Sequence, residues 1–146
     1  MEIELRIEKL PHCVALPEYK TQGASGMDLS AAISKPVTLK PLERKLIPTG
    51  IKIELPIGLE AQIRPRSGLS IKNGITLINC VGTIDADYRG EICVPLVNLS
   101  NQDFTINQGD RIAQMVICPV ILPQIKIVEE LAQSARGAGG FGSTGV

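Results

Sequence analysis

The chain has no tryptophan, a single histidine and only four aromatic residues, Tyr19, Tyr88, Phe104 and Phe141, in 146 positions. Its hydrophobic content of 44% is therefore mostly aliphatic, and so is the core it can build. Two of the aromatics stand in polar, glycine-rich stretches, a setting that suits stacking on a ligand better than core packing. The lone histidine, His12, sits beside Pro11 near the N-terminus and reads as a surface residue. One histidine gives little support to a serine triad or a histidine-based zinc site. The four cysteines, Cys13, Cys80, Cys93 and Cys118, form no Cys-x-x-Cys pair. Each lies in apolar or strand-like sequence, so they are expected to be reduced, buried small hydrophobes.

Charge of one sign is missing too. Fifteen basic residues balance fifteen acidic ones, which argues against a nucleic-acid binder, since that function needs an excess of Lys and Arg. No window is long and apolar enough to span a bilayer, so no membrane role is expected. The start, Met-Glu-Ile-Glu-Leu-Arg, is charged and alternating and does not read as a signal peptide. A cytoplasmic location is the expectation. No pattern supports a helix longer than about two turns, and no internal repeat is present.

What is there is a series of short alternating runs. Glu2 to Leu10 places Ile3, Leu5 and Ile7 on one face, as a half-buried strand does. Further strands are expected at Met27–Ala32, Pro36–Pro41, Arg44–Gly50, Ile51–Leu55, Leu59–Ile63 and Ile75–Ile78, with prolines breaking the second and third. Glu91–Leu99 continues the series, with Pro95 marking an edge or a bulge. Phe104–Ile106, Arg111–Cys118 and Gln124–Val128 complete it. The stretch from Ser67 to Lys72, followed by Asn73-Gly74, reads as a short helix with its stop signal. Ile112 to Ile121 is nearly all apolar, which suits a strand buried on both faces or a subunit contact. Asn98-Leu-Ser100 has the letters of a glycosylation sequon, discounted because no secretory signal precedes it. From Ser134 the pattern collapses into a glycine-rich tail carrying Arg136 and Phe141. Short strands punctuated by turns indicate an all-β barrel or jelly roll. One domain over residues 1–133 and a flexible lid over 134–146 are expected.

The densest chemistry lies in Asn79-Cys-Val-Gly-Thr-Ile-Asp-Ala-Asp-Tyr-Arg-Gly-Glu91. It reads as a hairpin, yet it carries two carboxylates, an aromatic and a cation where a plain turn needs only Asn-Gly or Asp-Gly. The segment Gly137-Ala-Gly-Gly-Phe-Gly142 fits the letters of G-x-G-x-x-G. No strand immediately precedes it and too little chain follows for a βαβ unit, and a Walker loop would need a Lys after Gly142.

Five segments matter more together. They are Ala24-Ser-Gly-Met-Asp-Leu-Ser-Ala31, Arg64-Pro-Arg-Ser-Gly-Leu-Ser70, Gly82-Thr-Ile-Asp-Ala-Asp-Tyr-Arg-Gly-Glu91, Gly109-Asp-Arg-Ile-Ala-Gln-Met115 and Arg136-Gly-Ala-Gly-Gly-Phe-Gly-Ser-Thr-Gly145. In this order they resemble the motifs of the trimeric dUTP pyrophosphatases, the dUTPases, over nearly the whole chain. The resemblance implies a distorted jelly roll, or β-clip barrel. It also implies a homotrimer with a swapped C-terminal tail and active sites shared between subunits. It implies hydrolysis of dUTP to dUMP and pyrophosphate, which keeps uracil out of DNA and supplies dUMP for thymidylate synthesis.

By the same resemblance Asp85 is the carboxylate that orients and deprotonates the attacking water. Asp87 is a competitor for that role from its position alone. Asn79 and the backbone of Gly82, Thr83, Ile84 and Cys93 would read uracil. Cys93 is expected opposite Asp85 on the returning strand. Tyr88 would lie under the deoxyribose. Arg66, Ser67, Gly68 and Gln114 would hold the phosphates. Arg136, Phe141 and Gly142 would close over them. Mg²⁺ would ride on the phosphates with no direct protein ligand, and Asp28 would touch it only through water. Asp110 and Arg111 read as structural ion-pairing residues. The nearest rivals are dCTP deaminase, or a bifunctional deaminase-dUTPase, of the same fold, and a non-enzymatic jelly-roll module. The Asp85/Tyr88 arrangement and the intact tail weigh against the deaminase, and the Arg136/Phe141 tail against the non-enzymatic module.

Overall fold

A computed structural model describes residues 3–145. Glu2, expected in the first strand, and Val146, at the end of the expected lid, lie outside the described residues. In chain order the strands are β1 (Arg6–Lys9), β2 (Glu18–Tyr19), β3 (Met27–Ser30), β4 (Val37–Leu39), β5 (Arg44–Pro48) and β6 (Ile51–Glu54). They continue with β7 (Leu59–Arg64), β8 (Ile75–Leu77), β9 (Gly82–Ile84), β10 (Cys93–Asn98), β11 (Phe104–Ile106) and β12 (Arg111–Pro119), and the helix α1 (Ser67–Asn73) lies between β7 and β8.

The largest sheet runs β2-β3-β12-β7-β9 and a second runs β5-β10-β8; β1 pairs with β6 and β11 with β4, each pair antiparallel. Alternation sets the buried faces: β3 and β6 both read buried, half-buried, buried, half-buried. Every sheet feeds one aliphatic core, in which Leu29, Leu39, Ile47, Ile51, Ile92, Leu96, Ile106 and Met115 are almost wholly buried. At about 1.5–3 kcal/mol per buried side chain, such a core holds a jelly-roll barrel together without disulfides. The helix forms as its sequence implies. Gly74 caps it in the left-handed conformation at φ 66°, with its N–H on the Ser70 carbonyl at 3.0 Å. A Cβ there would also sit 2.9 Å from the Ser100 nitrogen, so Gly74 is required twice over.

Tertiary context overrides the sequence pattern in several places. The expected strand over 124–128 does not form: among the described residues nothing pairs with that segment, and Ile125 and Ile127 are 90% and 94% exposed. The first strand covers only Arg6–Lys9, and Ile3 is exposed. The hairpin expected around Asp85 is not a simple one. Its first arm, β9, pairs with β7, while β10 is occupied on both edges by β5 and β8. Cys93 therefore stands opposite Pro48, not opposite Asp85. Pro95 lies in a central strand rather than at an edge; β8 ends at Leu77, and the Pro95 carbonyl still accepts from Ile78 N–H at 2.9 Å. Its missing N–H faces the side on which the ladder has stopped. None of the cysteines is fully buried, and Cys80 is exposed. The apolar run divides: Ile112, Ala113 and Met115 are buried in β12, whereas Ile121 is 88% exposed.

Asn98, the sequon residue, is fully buried. Its Nδ2 donates to the Leu39 carbonyl at 2.9 Å and the Gln102 carbonyl at 2.7 Å, and its Oδ1 accepts from Ser100 N–H at 2.9 Å and Oγ at 2.7 Å. Asn98→Ala takes a donor from the buried Leu39 carbonyl, frees Ser100 and opens a void, so it is expected to destabilise the fold by about 2–4 kcal/mol in chemical denaturation. A loss within about 0.5 kcal/mol would show that the amide is not holding these loops together.

Candidate active site

The sheet register brings distant segments side by side. On β12, Gln114 stands opposite Asp28 of β3 on one flank and Arg64 of β7 on the other. Opposed residues of antiparallel strands share a face, so these three form one row. Gln114 Nε2 donates to the Pro65 carbonyl at 2.9 Å. Its oxygen lies against Gly26, where an added Cβ would approach Oε1 to 2.5 Å. Gly26 is thus the residue that lets the amide lie flat beside Pro65. Sequence reading passed over it, since nothing in Ser25-Gly26-Met27 signals a side chain arriving from β12.

Asp28 is the electrostatic centre of the row. Its Oδ1 lies 3.3 Å from Arg66 Nε and its Oδ2 accepts from Arg111 Nη1 at 3.0 Å. Arg66 Nη1 also donates to the Arg111 carbonyl at 3.1 Å. The Asp28 side chain is only 16% exposed, so these contacts are less screened than surface pairs. One carboxylate between two guanidiniums leaves a net positive surface. Asp110, expected to be structural, closes a turn by accepting from Asn107 N–H at 2.7 Å. Beyond Arg66 the first turn of α1 has no side-chain cap and no acidic residue, and Ser67 and Gly68 are exposed. Their N–H groups have no partner within the helix and suit an anion.

The Asp85 region lies elsewhere on the same strand. Ile84 stands opposite Ala61 of β7, five residues before Arg66, which follows the end of that strand. At 3.3 Å per residue the separation is roughly 16 Å. One chain therefore does not bring Asp85 to Arg66. Asp85 is exposed, and among the described residues its carboxylate has no hydrogen-bond or ion-pair partner; its carbonyl accepts from Tyr88 N–H at 3.1 Å. It borders a recess of about 370 Å³ shared with Gly58, Glu60, Ala86, Asp87 and Leu122. The Tyr88 hydroxyl donates to the Glu91 carbonyl at 3.1 Å. Gly90 lies under that ring, and any Cβ there would collide with the phenol. Gly82 is buried against Asn79 and Ile63, with Asn79 Nδ2 3.3 Å from where a Cβ would be. Thr83 is exposed and Ile84 is half-buried.

The tail stands apart. Arg136 Nε donates to the Gly139 carbonyl at 2.7 Å, Phe141 is fully exposed, and Gly142 has a φ of 83°. Among the described residues the tail's hydrogen bonds stay within 134–145. No group of three or more His, Cys, Asp or Glu side chains is placed to hold a metal ion among the described residues. No helix among them is long and apolar enough to cross a membrane.

The family model described as dUTPase matches residues 13–145. A deoxyuridine 5′-triphosphate nucleotidohydrolase of Finegoldia magna is 62% identical over 130 residues, covering 89% of this chain and 91% of that protein. One of Treponema denticola is 56% identical over 138 residues, covering 94% and 96%. Among solved structures, the dUTPase of Staphylococcus bacteriophage 80alpha with dUPNHPP superposes with a TM-score of 0.88 at 29% identity, covering 98% and 99%. A mutant dUTPase from phage phi11 of S. aureus, described with a structural Mg(II) ion, reaches a TM-score of 0.80 at 26% identity, covering 89% and 99%.

The two cysteines near this region, Cys80 and Cys93, differ in surroundings. Burial, and secondarily the Glu91 carboxylate, push the Cys93 thiol up from its ordinary value. Less thiolate is then present near neutral pH, whereas Cys80 is exposed. With iodoacetamide at pH 8, peptide mass spectrometry is expected to show Cys80 labelled first and Cys93 at least about tenfold more slowly. Equal labelling would contradict the packing of Cys93.

Proposed function

Because the chain belongs to the dUTPase family and so hydrolyses dUTP to dUMP, we propose that it does so with Asp85 as general base, in sites assembled between three copies. The free, exposed carboxylate of Asp85 carries this proposal. Within hydrogen-bond reach of a water it can orient that molecule and take its proton as the oxygen attacks the α-phosphorus, with pyrophosphate leaving. Backbone N–H and C=O groups around Gly82 to Ile84, with the Asn79 amide, would bond uracil by its N3–H donor and O4 acceptor; cytosine presents the reverse. The tight seat of Gly82 favours exclusion of a thymine methyl. Cys93 contributes backbone alone. The Tyr88 ring would lie under the deoxyribose and leave no space for a 2′-hydroxyl.

The phosphates would lie on Arg66, the uncapped N–H groups of Ser67 and Gly68, and the second N–H of Gln114. This fixed positive surface needs no rearrangement as charge develops. The donor set fits a metal carried by the substrate: Asp28 has both oxygens engaged by guanidiniums and would meet Mg²⁺ only through water. When bound, Mg²⁺ neutralises triphosphate charge. Arg136, Phe141 and Gly142 would close over the γ-phosphate and uracil as a lid on a domain formed by residues 1–133.

The separation of roughly 16 Å along β7 favours a site completed by another copy. So does the arm of exposed Ile121, Leu122, Ile125 and Ile127, which lacks a place in its own chain. An apolar groove of about 490 Å³ between Ile3, Leu5, Tyr19, Met27 and Ile117 offers such an arm a seat. A homotrimer with a swapped tail, working in the cytoplasm, accommodates all of these features.

With Mg²⁺ present, pyrophosphate release from dUTP is expected to exceed that from dCTP, dTTP or UTP by orders of magnitude, and ammonia release from dCTP would overturn the proposal. Asp85→Asn is expected to bind dUPNHPP normally while turnover falls by about 10²–10⁴; near-normal turnover would remove Asp85 from the role. Ending the chain after Ala135 is expected to leave a folded trimer by light scattering with little activity. Unfolding on truncation would refute the lid.

A further inference from the structure

We propose that Glu91 is a specificity-positioning residue, one that sets the height of the Tyr88 ring and through it the rejection of ribonucleotides. The inference rests on the reading that Tyr88 lies under the deoxyribose. Three contacts converge on Glu91. Its carbonyl accepts the Tyr88 hydroxyl at 3.1 Å. Its Oε1 accepts from Gly50 N–H at 2.8 Å and lies 2.6 Å from His12 Nε2. Its side chain is 25% exposed, so these bonds are partly withdrawn from water.

The far end of this tether is rigid. Gly50 is left-handed at φ 72°, and a Cβ on it would sit 2.5 Å from the Cys13 Cα, so the N-terminal segment packs directly on its backbone. Leu10 N–H donates to the Gly50 carbonyl at 2.8 Å. On the other side of Glu91, Ile92 N–H donates to the Ile51 carbonyl at 2.9 Å and the Ile92 carbonyl accepts from Thr49 Oγ1 at 2.6 Å. The Glu91 carbonyl therefore has little freedom, and neither has the phenol it holds. The ring rests on Gly90, which cannot carry a Cβ. Releasing the Glu91 carboxylate frees the chain between Gly90 and Glu91. The Tyr88 ring can then drop by the fraction of an ångström that a 2′-hydroxyl needs. Glu91 touches neither water nor phosphate in this scheme, so the rate with dUTP should change little.

The test compares kcat/KM for dUTP and UTP in four variants, each first checked for folding and assembly. Glu91→Ala is expected to lower the dUTP/UTP ratio at least about tenfold, chiefly by improving UTP. In the same variant kcat for dUTP should stay within about twofold. Glu91→Gln keeps an acceptor for the Gly50 amide and is expected to restore the ratio. Tyr88→Phe, which removes only the hydroxyl contact, is expected to move the ratio in the same direction and stands in if Glu91→Ala does not fold. Tyr88→Ala tests the underlying reading: an unchanged ratio there would remove Tyr88 from sugar selection altogether. A ratio that collapses in Tyr88→Ala but holds in Glu91→Ala and Tyr88→Phe would overturn the role of Glu91 alone.

Discussion

The backbone ladder of β12 with two neighbours at once is the interaction on which the rest depends. A strand paired on both edges cannot slide: a one-residue slip would turn Ala113 and Met115, which share a face, from core to surface. Register is thereby fixed to the residue, and with it the alignment of Asp28, Gln114 and Arg64. Arg66 and the helix that follows are delivered to the end of that row because β7 ends at Arg64. The cluster of Asp28, Gln114, Arg64 and Arg66 is thus a consequence of sheet register, not of any local motif.

Two finer constraints sharpen the arrangement. Glycines provide space where other groups come close: Gly26 under the Gln114 side chain from β12, Gly90 under the Tyr88 ring and Gly50 against the Cys13 backbone. Charge does the rest. Asp28 between Arg66 and Arg111 holds two cations that would otherwise repel each other, while leaving their combined field positive toward a polyanion. The Asp85 region obeys a different logic. Its carboxylate is free of partners among the described residues, which suits a group that must accept a proton from a water.

Local features were legible where local physics decides. Alternation in Ile51–Glu54 and the Asn73-Gly74 stop after α1 were both readable, since a strand's faces and a helix's left-handed cap are set within a few residues. The five segments were recognisable in a different way, through their resemblance to the dUTPase motifs. The partner of β9, the central place of Pro95, the exposure of Cys80 and the unpaired arm around Ile125 were not. Each depends on which edges remain open once the other strands have paired, a property of the whole sheet. The role of Gly26 was hidden for the same reason.

By itself the sequence determined the strand periodicity, the aliphatic core and the short capped helix. Only the tertiary structure decided that Asp28 joins Arg66 and Arg111, that Gln114 lies on Gly26, and that Asp85 stands far along β7 from Arg66. The reason is physical. Side-chain chemistry and local backbone preference are encoded residue by residue, whereas proximity between distant segments is set by strand register and edge availability, which exist only once the sheets have formed.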